Sequence, residues 1–368
     1  MLRNSRIGWV SSALVGVGVL ALACACGSDS GGTEEADAGN DQGGEDDKKC
    51  VDCASPPAPA ENAVQGDGDG VVLAISKLNL VDKGDDWKRV GYDLDGYKSN
   101  LNSAFHCKLA EGASTSVKAD GERGIDNSFG ANIMPSVVGM VSDVSEKAQD
   151  SLDDGSFSIL IAIDGLGTGA NYVDLPAALY AGAALGNAPK WDGTDEWPVF
   201  CELMQDCKET GTAQFPTAKS RIQFPKSYVT GNTWVSGEKR TISISMVLQG
   251  YALALDINQA VFTVNLSGSP VTGGSGGILA GVLEATKVVE AVVNLGGNLY
   301  SDLCDQNAPM SKQIQSAILN AADIMKDGTQ DPDKSCDGIS IGLGFDMKRV
   351  QLGQVNDKNP EASSPCDP

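Results

Sequence analysis

Two short segments concentrate the side chains best suited to holding a hard cation. The first is Gly91-Tyr92-Asp93-Leu94-Asp95-Gly96-Tyr97 and the second runs from Asp120 through Asp126-Asn127 to Gly130. Asp and Asn supply oxygen donors, and the interspersed glycines permit turns tight enough for several donors to converge. Ca²⁺ asks for about six to eight oxygens in a forgiving geometry. Asp93, Asp95, Asp120, Asp126 and Asn127 are therefore candidate metal ligands, with Ca²⁺ as the candidate cofactor. Neither segment has the spacing of an EF-hand loop. The same composition also suits surface turns whose Asp and Asn bond their own backbone. Convergence of the two segments in space separates these readings.

Other chemistries find less support. His106 is the only histidine, so a Ser-His-Asp or Cys-His machine must run through it. Its neighbour Cys107 reads as a disulfide partner. No Gly-x-Ser-x-Gly elbow or His-Glu-x-x-His is present, and no residue is assigned as catalytic. Cys50-Val51-Asp52-Cys53 has redox spacing but sits beside Pro-rich coil, not at the start of a helix, so a local or tether-to-domain disulfide is the reading preferred. Together with Cys201 and Cys207 it does not make a finger-like zinc spacing. Gly273 to Gly277 lacks the Lys-Ser/Thr of a phosphate loop and reads as a hairpin or bulge. Asp164, Asp192, Asp195 and Glu196 lie near Trp191 and Trp197, which keeps open an alternative, a polysaccharide hydrolase working through two carboxylates.

The N-terminus addresses the chain for export. Arg3 and Arg6 precede an apolar run from Ile7 to Ala23, and small residues surround Cys24 and Cys26. The pattern resembles a bacterial lipoprotein signal cut before an acylated cysteine. Cys26 is the preferred lipid site and Cys24 the alternative. Cutting before Cys26 leaves eight of the 10 cysteines, Cys26 apart, an even set that suits an oxidising compartment. Cys201 with Cys207 and Cys304 with Cys336 are the expected pairs. Gly27, not Asp, follows Cys26, so the outer membrane is the expected destination, reached through the N-terminal lipid (a palmitate-type acyl chain).

Residues 1–25 are thus read as signal peptide and 26–65 as a disordered acidic tether built of Gly, Asp, Glu, Ser, Pro and Ala. Residues 66–368 are read as one disulfide-stapled folded domain. The formal net charge of -22 repels phosphate backbones and argues against nucleic acid as a partner. An extracellular polysaccharide or a protein is left as an unidentified partner.

Elements able to position these residues follow from periodicity. Strands are expected at Gly70–Leu80, Phe157–Gly165, Arg240–Gln249, Ala260–Leu266 and Gly338–Met347, and helices at Ile133–Leu152, Val288–Leu303 and Ser311–Met325. With 44 glycines and strands leading the chain, the expected class is mainly β. A jelly-roll-like β-sandwich with inserted helices is preferred, with α+β as the alternative.

The segments Ile75–Leu80, Gly91–Gly96, Gly124–Gly130 and Cys336–Phe345 together resemble a family of uncharacterised lipoproteins typical of myxobacteria and related bacteria. The resemblance implies export and a single folded unit and carries no activity. The expected function is an outer-membrane-anchored lipoprotein acting as a non-enzymatic ligand-binding or structural surface protein.

Overall fold

Eight strands hydrogen-bond into a closed antiparallel ring. A computed structural model describes residues 50–140, 143–205, 220–248, 251–297 and 304–356, all within a unit that begins at Gly44. The signal segment, Cys26 and the first part of the tether lie outside the described residues. The ring is built from β1 (Val71–Asn79), β2 (Ser158–Ile163), β3 (Tyr172–Gly182), β5 (Ile222–Thr230), β6 (Thr233–Val235), β8 (Tyr251–Ser267), β9 (Gly273–Glu284) and β10 (Gly338–Asn356). Each strand pairs with the next in that order, and β10 returns to β1 through pairs such as Val72 with Val350. Two further strands lie off the ring. β4 (Glu196–Phe200) runs parallel to the end of β10, and β7 (Arg240–Leu248) pairs with β8.

The fold is therefore a closed barrel with extra strands, not the expected sandwich. Alternating patterns identify half-buried strands, but they do not say whether the sheet's two edges meet. Here β10 is 19 residues long and carries register shifts, enough to reach from β9 across to β1 and close the sheet. β3, β5 and β9 were not anticipated. In β9 the glycines of Gly273–Gly277 lie within a paired strand, not in a hairpin, and the register shifts against β8 and β10 there match the bulge reading.

Alternation sorts the strand residues onto two sides. Leu73, Ile75, Ile161, Phe224, Trp234, Phe262 and Phe345 belong to one large buried cluster. Rings from unpaired strands meet in it, Phe224 with Phe262 at 6.0 Å and Phe262 with Phe345 at 6.3 Å, so this cluster fills the barrel lumen. Among the described residues, the helices α1 (Met134–Met140), α2 (Val144–Asp153), α3 (Ala285–Gly297) and α4 (Pro309–Leu319) add Met134, Leu152, Val288 and Ile318 to it. The helix expected across 133–152 is broken at Asp143, which has a left-handed φ of 64°. The helix expected to reach Met325 ends at Leu319, and Ile324 instead bridges Gly338. No helix among the described residues is long and apolar enough to cross a membrane.

The opposite strand faces are covered from outside. Val72, Ala74, Leu160 and Tyr180 pack with Trp197 and Val199 of β4. Val235, Val261, Ala280 and Val282 pack under a layer of loops that supplies Ala54, Tyr92, Leu94, Ile125 and Ile324. That layer includes residues expected in the tether. Ala54 N–H donates to Arg123 O, Asp93 N–H to Ala54 O and Tyr228 Oη to Pro57 O. These bonds tie Ala54 to the loop layer and Pro57 to β5, within the stretch read as disordered tether.

Disulfide pairing also departs from expectation. Cys336 bonds Cys107, not Cys304, whereas Cys50 bonds Cys53, the local disulfide that is one of the two readings of that pair. Lys108 pairs with Ser335 as a short parallel bridge, which brings Cys107 and Cys336 into reach of each other. Cys201 and Cys304 are also disulfide-bonded. The expected partner Cys207 lies outside the described residues.

Candidate functional site

The outer loop layer brings the two Asp-rich segments together. Tyr92 and Leu94 anchor the first segment by burial against the barrel, and Tyr92 Oη bonds Thr263 Oγ1 at 2.7 Å. Between these anchors and Gly96, which has a φ of +84°, the chain turns sharply. Asp93 Oδ1 accepts from Gly96 N at 2.6 Å and Asp95 Oδ1 from Tyr97 N at 2.8 Å. The second segment is tied to the first where Asp126 N donates to Tyr92 O and Asp126 Oδ2 accepts from Leu94 N at 2.6 Å. Asp120 accepts from Ser99 N.

Asp93, Asp95 and Asp126 each place a carboxylate oxygen within 4.8 Å of the others. Asp120 stands close enough to raise the proton affinity of Asp126, and Asp95 in turn acts on Asp120. A fifth carboxylate, Asp323, joins from the loop after α4, where it accepts from Ser340 N at 2.8 Å. Gln330 holds the group together. Its Nε2 donates to Asp95 Oδ2 at 2.9 Å and to Asp323 O at 3.1 Å, while its Oε1 accepts from Cys107 N.

Burial is the main force on these acids. It lifts Asp93 to about 6, Asp120 to about 8 and Asp323 to about 7, and it raises Asp95 as well. Asp126, only 4% exposed, is pushed well above the usual carboxylate range, with the charges of Asp95, Asp120 and Asp323 adding to the effect. Lys239 offsets part of this at Asp93, and its Nζ donates to Leu94 O. Among the described residues no Lys or Arg forms an ion pair with any of the five. Such a cluster either keeps protons or gathers a cation.

The structure separates the sequence candidates. Asp93, Asp95 and Asp126 converge, with Asp120 beside them. Asn127 does not offer a free ligand atom. Its Nδ2 donates to Val90 O and Gly342 O, and its Oδ1 accepts from Gly130 N and Gly342 N. It is a structural clamp between the loop layer and β10. Asp323 was missed, although an acid within Ala321-Ala322-Asp323-Ile324 is a polar residue in an apolar run and thus a candidate for burial with a partner. His106 packs against the Cys107–Cys336 bond, with Nδ1 3.9 Å from Cys336 Sγ and 2.9 Å from Cys107 O, and burial lowers its pKa.

Among the acids near the tryptophans, Asp195 is occupied in its own loop. Asp195 is buried and accepts from Lys190 N and Trp191 N, capping its own loop. Trp197 is fully buried and donates to Ala183 O at 2.9 Å. Searches against protein-family models, curated proteins and solved structures found no match to this chain.

Proposed function

We propose that this chain is an exported lipoprotein, held at the outer membrane by a lipid on Cys26, whose folded part is a non-enzymatic binding or structural domain stabilised by Ca²⁺. The observation that carries the cation reading is the meeting of Asp93, Asp95 and Asp126 within 4.8 Å, backed by Asp120 and Asp323. All the donors are oxygens, which is the preference of a hard cation. Ser99, whose amide serves Asp120, also keeps a buried hydroxyl with no protein partner. A bound ion would relieve the repulsion that otherwise favours protonated acids and would tie residues 92–97, 120–126 and 323 to the barrel. The hydrolase alternative drew on acids near Trp191 and Trp197, and of these residues Asp195 and Trp197 are taken up by capping and packing. The export signal and the resemblance to myxobacterial lipoproteins support the anchored location; a polysaccharide or protein partner is left to be identified.

Melting the mature protein in Ca²⁺ and in chelator, at matched ionic strength, tests the cation. Ca²⁺ raises the melting temperature, and Asp126→Ala removes most of the difference; equal melting temperatures reject the site. Fatty-acid labelling tests the anchor: Cys26→Ser abolishes it and Cys24→Ser leaves it. The reverse pattern moves the lipid to Cys24.

A further inference from the structure

We propose that Cys50 and Cys53, once a dithiol opens their disulfide, form with Asp93 a binding site for a borderline divalent metal ion such as Zn²⁺. The two sulfurs and an Asp93 carboxylate oxygen lie within 4.8 Å of one another. Two cysteines separated by two residues are a common way to give one tetrahedral ion two thiolates, and a carboxylate is an accepted third ligand. Solvent supplies the fourth on the exposed side. The inference shares Asp93 with the proposed calcium site but adds sulfur ligands that only the reduced protein offers.

The backbone around the cysteines is pinned independently of the S–S bond. Cys50 N donates to Gly96 O at 2.9 Å, Ala54 N donates to Arg123 O at 2.8 Å, and the Arg123 guanidinium donates to Asp52 O and Cys53 O. Opening the disulfide therefore leaves both cysteines beside Asp93. Gly124 keeps room for the sulfur. Its φ is +73°, and a Cβ there would meet Cys53 Sγ at 2.6 Å and Tyr97 O at 2.9 Å.

Access favours this disulfide over Cys107–Cys336. Val51, between the two cysteines, is 93% exposed, whereas Cys107 is 1% exposed. Cys53 Sγ lies 3.9 Å from Tyr97 O, and the exchange is written with attack on Cys50. A thiolate of the dithiol bonds Cys50 Sγ, and the S–S bond breaks with its electron pair on Cys53. The second thiolate of the reductant then displaces Cys50 and leaves as a cyclic disulfide. Two electrons and two protons have passed to the cysteines, and the metal ion displaces both protons on binding.

The test uses the mature full-length protein, reduced with dithiothreitol, desalted without oxygen and titrated with Co²⁺ as a spectroscopic stand-in for Zn²⁺. A thiolate-to-cobalt charge-transfer band develops in the reduced protein and not in the oxidised one, and Zn²⁺ abolishes it. Cys50→Ser or Cys53→Ser removes the band, and Asp93→Asn weakens Co²⁺ binding by about tenfold or more. Peptide mapping after mild reduction and alkylation finds the label on Cys50 and Cys53, a readout that needs no variant to fold. Absence of the band overturns the proposal, as does an unchanged affinity in Asp93→Asn. A band that survives Cys53→Ser and vanishes in Cys336→Ser also overturns it, since the ion would then sit with His106, Cys107 and Cys336. Calcium-dependent melting of the oxidised protein is a separate readout, so either reading can fail while the other stands.

Discussion

Val261 and Phe262 are consecutive in β8 and both are almost fully buried, yet they face regions held together for different reasons. Phe262 points into the lumen, where its ring meets Phe224 and Phe345 and its other neighbours are apolar. Val261 points outward beneath the loop layer, where Tyr92, Leu94 and Ile125 cover it and the carboxylates follow directly in sequence. The lumen gains from the removal of apolar surface from water, a term indifferent to pH and to ions. The loop layer adds a cluster of buried acids, so its stability varies with protons and, on the proposed reading, with cations. One strand thus carries a permanent core on one face and a conditional one on the other.

The largest effect belongs to the lumen. Phe262→Ala removes a ring from the centre of the barrel and is expected to cost about 3–5 kcal/mol. Denaturant unfolding measures it, and the loss should be the same in Ca²⁺ and in chelator. A loss that depends on Ca²⁺ would show that lumen and layer are not separable.

The pH response of the layer comes next. Asp93, Asp120 and Asp323 have folded values of about 6, 8 and 7, above the ~3.9 of an unfolded aspartate. Between these limits the folded chain binds more protons than the unfolded one, so stability falls as pH rises. In chelator the decline should run from about pH 4 to about pH 8. Ca²⁺ should flatten it by stabilising the ionised acids. A profile in chelator that rises across this window would contradict the buried, unpaired character of the cluster.

A smaller change isolates one acid. Asp126→Asn keeps an oxygen for Leu94 N but removes a charge that Asp95, Asp120 and Asp323 oppose. In chelator near pH 8 the variant should melt above the parent. In saturating Ca²⁺ the order should reverse, because a site occupied at about 100 times its dissociation constant adds about 2.7 kcal/mol to the parent. The same order in both conditions would mean that the cluster is stabilised by protons alone.

The contrast between the two regions also explains what could be read from the chain. Lumen strands announce themselves because alternate residues must be apolar, as in Val71, Leu73 and Ile75 of β1. β9 was obscured because its first half is Gly273-Gly274-Ser275-Gly276-Gly277, where missing side chains erase the alternation. Closure was illegible because the pairing of β1 with β10 joins residues more than 260 positions apart and leaves no local trace. The Asp93, Asp95 and Asp126 meeting was visible as composition, since Gly and Asp cluster where the chain turns tightly. Asn127 misled because its side chain has the chemistry of a ligand, and only the tertiary fold puts four backbone groups around it. Asp323 escaped notice because it lies about 200 residues further along the chain from Asp120.

The smallest expected effect probes the edge of the layer. Arg123 donates to Asp52 O and Cys53 O from a residue whose φ of 57° lies in the left-handed region. Arg123→Ala keeps that backbone cost and removes both donors, each worth about 0.5–1.5 kcal/mol. Because the guanidinium is exposed, water replaces part of the loss, and global stability should fall by about 1 kcal/mol or less. The local consequence is larger than the global one. Residues 50–54 are held by a few bonds to Gly96, Asp93 and Arg123 of the loop layer, so releasing two of them should speed amide exchange at Cys50 and Ala54 while the β1 and β10 amides exchange as before. Equal acceleration in the strands would show that the loop layer and the lumen unfold as one unit, and the distinction between a permanent and a conditional core would then fail.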